Sequence, residues 1–284
     1  MLALSAIGAL AMVAVVRYLS PPSRTATDAP ENRADAPSAR VTLAADGSLL
    51  FAVASEEDRS IGTLESAEAT VQQATLDRLR DRLHRVAAGA VDAYGWSTPT
   101  IAVAAAPATP WVRVLWILEV ASSSVRIRRV RFELAGAPKD FVANDLAYAW
   151  EPTTFDDQGE SDPVLRVRLG EEDGLVAGAA PPPSTTRVSM AVARERRYYH
   201  EGRPYYGDGL DWKTSWATDE GVRRITAEVG GAALGVTGCI VDVPRPQRPR
   251  LPYGTVFTVL RGLRDEGVVR VQLLNRSTTL PGER

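Results

Sequence analysis

Two stretches of the chain superpose residue on residue: Pro110-Trp111-x-x-Val114-Leu115-x-Ile117-Leu118 and Pro252-Tyr253-x-x-Val256-Phe257-x-Val259-Leu260. Each sets a proline at the first position of a helix, follows it with an aromatic residue, and then repeats apolar residues with helical period. A helix of this kind buries one face against a sheet, so its recurrence predicts two copies of one small domain. The length of 284 residues accommodates two domains of ordinary size, and 45% hydrophobic with 24% charged residues suits ordered, globular folding.

The pattern around these helices predicts an α+β plan. Met1 to Val16 is an uncharged run spanning about 24 Å as a helix, and Tyr18 and Leu19 with a snorkelling Arg17 bring it near the roughly 30 Å of a hydrocarbon core. Arg17 to Pro22 offers no small-x-small cleavage pattern, which favours an uncleaved transmembrane anchor over residues 1–20. Residues 21–40, rich in Pro, Ala and Ser, read as a linker. A first domain over 41–135 is expected to run β-β-α-β-α-β: strands Val41 to Leu43 and Leu49 to Val53 about the turn Asp46-Gly47, a helix presenting Leu76, Leu79, Leu83 and Val86, a strand Thr100 to Ala105, a helix opening at Pro110 with Thr109 as its cap, and a strand Val130 to Leu134. Helices are expected on one face of each sheet. After a loop-like connector, 136–163, the plan repeats over 164–275, ahead of a short tail, 276–284. In that half Tyr198, Tyr199, Tyr205 and Tyr206 flank His200-Glu201-Gly202-Arg203 as an aromatic hairpin.

Several classes of chemistry find little support. Lys plus Arg is 33 against 35 for Asp plus Glu, a net charge of -2 that disfavours a polyanion such as nucleic acid as partner. Two histidines and one cysteine leave no disulfide and no zinc-site spacing, and neither a metal nor a cofactor is expected. His200 beside Asp208 and Asp211 reads as a hydrogen-bonded turn before it reads as an acid/base site, and His84 reads as a surface residue. Cys239, alternating with Val241 and Val243, reads as a core residue. Asp156, Asp157, Glu160 and Asp162 lack calcium-loop spacing, and Ser122 to Ser124 lack a nucleophile-elbow setting. The candidate partner-binding residues are aromatic: Tyr198, Tyr199, Tyr205, Tyr206, Trp212, Trp216 and Tyr253. Such rings give contact area at low entropy cost, and a strand edge beside them accepts a partner strand; equally, they cover a sheet poor in other large residues.

Leu251 to Asn275 resembles the end of the periplasmic domain of the ExbD/TolR biopolymer-transport family, which closes with a Tyr-Gly pair opening a helix, a glycine ending it and a Val-rich strand. Tyr253, Gly254, Val256, Leu260, Gly267, Val268, Val271 and Leu273 carry the resemblance, and the copy from Pro110 matches more weakly, with Trp111 for Tyr and Val112 for Gly. The resemblance implies a single-pass inner-membrane protein with its bulk in the periplasm, whose domains pair with each other and work with a polytopic ExbB/TolQ-like protein in proton-gradient-linked transport, some members also contacting peptidoglycan. It implies no enzymatic activity. Positive-inside counting of Arg17 and Arg24 points the other way, toward a cytoplasmic bulk. The chain also departs from the family in its anchor: Met1 to Leu19 has no Asp, Glu or His, and a proton relay through hydrocarbon needs an ionisable group there. An accessory member acting by protein binding is the expected role. An envelope hydrolase using the His200 and Asp208 region, or a peptidoglycan-binding adhesion module, is the alternative.

Overall fold

Ala39, Val41 and Leu43 turn inward while Arg40 and Thr42 turn away, the period-two signature of a strand, and this segment, β1 (Ala39–Leu43), founds the first sheet in the computed structural model. The structure describes residues 36–53, 57–93, 95–145, 164–170, 186–193, 198–200, 203–205, 210–229, 238–243, 248–268, 270–274 and 280–281. The expected anchor and most of the linker lie outside them; among the described residues no helix is long and apolar enough to cross a membrane.

The chain turns at Asp46-Gly47, where Gly47 takes a φ of 78° and the Asp46 carboxylate accepts the Ser48 N–H at 2.9 Å. That hydrogen bond draws the Asp46 carboxyl below its usual pKa. The returning β2 (Ser48–Val53) is antiparallel to β1, and β3 (Arg59–Thr63) is antiparallel to β2. Next comes α1 (Ala69–Ala87), burying Leu76, Leu79, Leu83 and Ala87. Strand β4 (Ser97–Ala105) runs parallel to β1. Helix α2 (Trp111–Glu119) continues as a π-helical turn over Val120–Ser124. It leads into β5 (Ile127–Leu134), parallel to β4, and then β6 (Ala137–Asp145), antiparallel to β5. The second half contributes β7 (Val164–Leu169), β8 (Arg187–Ala193), the pair β9 (Tyr198–His200) and β10 (Arg203–Tyr205), β11 (Lys213–Trp216), α3 (Asp219–Glu228), β12 (Gly238–Asp242), α4 (Tyr253–Asp265) and β13 (Arg270–Leu274).

The main sheets have the orders β3-β2-β1-β4-β5-β6 and β11-β8-β7-β12-β13, with β9 and β10 forming a small sheet of their own. Strand β7 is antiparallel to β8 and parallel to β12, β12 is parallel to β13, and β8 is antiparallel to β11. The first five strands of one sheet and the five of the other therefore agree in order and sense. In each half two crossovers through helices advance across the sheet in the same direction, and right-handed connections then place both helices on one face. Accordingly, α1 touches α2 and α3 touches α4. The halves meet through α2 against α4 and β6 against β13, under a hydrophobic core that runs through both.

The expected β-β-α-β-α-β order omitted three strands. In β3 only Ile61 is an apolar, buried residue, too little for an alternating pattern. Strand β6 falls where a loop was expected, so the first sheet extends past residue 135 into the expected connector; Ala137, Pro138 and Asp140 hid it. Strand β11 is four residues long and half polar. The helix expected to open at Pro110 under a Thr109 cap starts instead at Trp111, with Pro110 extended before it; Thr109 is buried and its side chain does not cap that helix.

Candidate functional site

Among the described residues strand β11 is the terminal strand of the second sheet and pairs with β8, setting Trp216 opposite Arg187 and Thr214 opposite Ser189. The Arg187 guanidinium lies 4.9 Å from the Trp216 ring centroid and that of Arg168 lies 4.3 Å from the Trp212 ring, both within cation–π range. The two indoles are half-buried, at the two ends of β11, whose outer edge meets no other strand among the described residues. Lys213 pairs with Asp211 at 2.9 Å, a hydrogen bond that raises the lysine pKa. This edge offers main-chain pairing along β11 with aromatic and cationic surface at its ends, the chemistry of strand addition.

Helix α3 fixes that edge. The Thr218 hydroxyl accepts the Gly221 N–H at 3.1 Å, and Asp219 clasps Arg261 of α4 at 2.8 and 2.9 Å. A Cβ on Gly221 would sit 2.1 Å from the Trp216 carbonyl oxygen and 2.8 Å from the Ser215 hydroxyl oxygen. Gly221→Ala is accordingly expected to destabilise the chain by about 2 kcal/mol in urea unfolding, by forcing α3 away from the end of β11.

The expected aromatic hairpin is present in the backbone: β9 and β10 pair antiparallel, His200 opposite Arg203 and Tyr198 opposite Tyr205. The structure does not describe the side chains of Tyr198, Tyr199, His200 and Tyr205, and Tyr206 and Asp208 lie outside the described residues, as do Asp156, Asp157, Glu160 and Asp162.

Tyr253 requires a correction. It was expected to bind an outside partner, but it is 0% exposed and its partner is the first half of the same chain. Its ring stacks on Trp111 with centroids 6.2 Å apart at 16°, and its hydroxyl donates to the Glu133 carbonyl at 2.9 Å. Burial pushes the phenol far above its ordinary pKa, so it remains a donor. The backbone around the rings is reciprocal. Trp111 N–H donates to the Leu251 carbonyl at 2.8 Å, and Tyr253 N–H donates to the Thr109 carbonyl at 2.7 Å. One step on, Val112 N–H reaches the Arg248 carbonyl at 3.2 Å and Gly254 N–H the Pro107 carbonyl at 2.8 Å. Pro110 and Pro252 face each other at the centre. The first amides of a helix lack partners inside it, and neither α2 nor α4 has a side-chain cap. Each helix is capped by the other half's carbonyls.

A charged cluster missed in the sequence lies on the first sheet. Register aligns Arg40 with Ala102 and Ala102 with Arg131, and in the next row Ala104 with Glu133. The small alanines of β4 let the Arg40 guanidinium, 3.0 Å from the Glu133 carboxylate, reach across to the far strand, while Arg131 approaches the same carboxylate at 2.7 Å. Glu133 is 1% exposed, and its burial raises the carboxyl pKa more than the two arginines lower it. A charged residue among the apolar positions of β5 was the available signal.

Cys239 is buried on β12, where burial pushes its thiol far above the usual range and leaves it unreactive. The Ser122 hydroxyl donates to the Leu118 carbonyl, and Ser123 to the Glu119 carboxylate. His84 is exposed on α1. Among the described residues no three His, Cys, Asp or Glu side chains converge as a metal site. Comparison of the chain with family models, with curated proteins and with solved structures finds no match.

Proposed function

We propose that the chain is a membrane-anchored, non-enzymatic subunit of the ExbD/TolR kind, built from two fused copies of one domain and acting by protein binding in a proton-gradient-linked envelope transport system. The observation that carries this reading is the reciprocal joint at Pro110 and Pro252, where the equivalent residues Trp111 and Tyr253 bond the equivalent carbonyls of Leu251 and Thr109. Such exchange is the mark of an isologous pair, and here it lies within one chain. The common strand order of the two sheets supports the same duplication. Fusion thereby supplies internally the pairing that single-domain relatives of that family obtain as dimers. With no Asp, Glu or His in Met1 to Leu19, the chain leaves proton relay to another subunit and holds an accessory place beside a polytopic ExbB/TolQ-like protein, its bulk in the periplasm. The open β11 edge with Trp212 and Trp216 is the surface assigned to that partner.

Affinity capture of the full chain from detergent-solubilised membranes is expected to recover a polytopic partner of this class. Trp212→Ala combined with Trp216→Ala should reduce the recovery about tenfold while leaving circular dichroism unchanged. Failure to recover such a partner with folded protein counts against the proposal.

A further inference from the structure

The opposite end of the molecule carries a binding feature unrelated to the aromatic edge. Among the described residues strand β3 is the terminal strand of the first sheet, paired with β2, and between it and α1 lies a cleft of about 480 Å³. It is lined by Ser60, Ile61 and Gly62 of β3 and by Arg78, Asp81, Arg82 and Arg85 of α1. Spacings of four and three place the arginines on one stripe of the helix. Gly62, at a φ of 146°, brings the strand in close: a Cβ there would meet the Thr75 hydroxyl oxygen at 2.3 Å. Arg78 donates to the Ile61 carbonyl and ties strand to helix, so the cleft is preformed.

Three arginines against one aspartate give the lining a charge of +2 on a chain whose total is -2. Among the described residues none of Arg78, Arg82 and Arg85 is ion-paired, and Arg85 bonds only the Asp81 carbonyl oxygen, at 3.3 Å. Guanidinium groups without a carboxylate partner, with donors to spare, select carboxylate or phosphate. The strand edge decides between them. An edge alternates N–H donors with C=O acceptors, which a second backbone complements and a phosphate, having acceptors alone at neutral pH, does not.

From this we infer that the cleft between β3 and α1 binds an acidic peptide segment in extended form, adding as a strand beside β3 with its carboxylates on Arg82 and Arg85. The inference is independent of the proposed envelope role, because it rests on the cleft alone. The test is fluorescence polarisation of a labelled peptide alternating Glu and Thr, titrated with the full chain in detergent. Binding is expected to weaken with salt, to fall roughly tenfold in Arg82→Gln and further in Arg82→Gln/Arg85→Gln, and to protect the amides of residues 59–63 from hydrogen exchange. Both side chains reach solvent, so these variants should fold. Unchanged binding in the double variant overturns the inference. Displacement of the peptide by an equal concentration of inorganic phosphate, with the β3 amides unprotected, also overturns it and leaves a simple anion site.

Discussion

Trp111→Ala and Tyr253→Ala should each destabilise the protein by about 3–5 kcal/mol in denaturant unfolding, because each empties one of the largest buried volumes in the molecule at the joint between its halves. A loss of that size is a large share of the roughly 5–15 kcal/mol that holds an ordinary domain folded. Three contributions add at this point. The two rings stack on each other, Phe132 lies 6.3 Å from Trp111, and Phe257 lies 6.1 Å from Tyr253, so truncating either ring strips contacts from both halves. The rings also shield the exchanged backbone hydrogen bonds that stand in for helix caps, and water admitted there competes for amides with no other partner. Tyr253→Phe keeps the ring and loses only the bond to the Glu133 carbonyl, so it is expected to cost about 1 kcal/mol. Because the rings touch, the double alanine variant should cost less than the sum of the single ones, by about 1 kcal/mol or more. Strict additivity would mean that the joint does not work as a unit.

How much of this was legible in the sequence varies with how each feature is encoded. Leu76, Leu79 and Leu83 repeat at helical spacing, and that periodicity is a local property, so α1 stood out. The turn at Asp46-Gly47 was equally local. Strand β3 was not legible, because its place is set by pairing with β2 and by Arg78 holding its backbone, neither of which leaves an apolar pattern in Arg59-Ser60-Ile61-Gly62-Thr63. Thr109 was read as a cap because its type and position suit one; the amides it would have served are satisfied by Leu251 and Arg248 of the other half, across a distance no local rule spans. Tyr253 was expected to meet an outside partner, and nothing local distinguishes such a partner from the chain's own first half, against which it is buried. The arginine cleft was lost for another reason. Net charge is an average, and a total of -2 conceals a local +2 once folding gathers Arg78, Arg82 and Arg85 beside a strand edge.

Glu133→Ala should cost about 3 kcal/mol at neutral pH, and the pH dependence of that cost identifies its source. Two opposing effects act on this carboxylate. Arg40 and Arg131 favour its charge, while enclosure at 1% exposure disfavours it, and the raised pKa says that enclosure is the larger. Truncation removes the carboxylate that both guanidinium groups approach and leaves its buried volume empty. The cost stays near the low end for a broken buried pair because Arg40, 37% exposed, can turn toward water. The sign of the pH effect follows from linkage. The folded chain holds the Glu133 proton more tightly than the unfolded chain does, so this group's contribution is complete below its ordinary value of 4.5 and declines as pH rises through the higher folded value. Glu133→Gln retains the shape and removes the titration. Wild type should therefore gain stability relative to Glu133→Gln as the pH is lowered from 7.5 to 5, against a background in which other carboxylates titrate alike in both. The measurement is urea unfolding of the pair across that range. Parallel curves would mean that the two arginines outweigh enclosure and that Glu133 is an ordinary ion-pair partner. A widening gap in favour of wild type at acid pH would mean that the alanine floor of β4, by letting Arg40 cross it, holds a carboxylate where burial outweighs its charge.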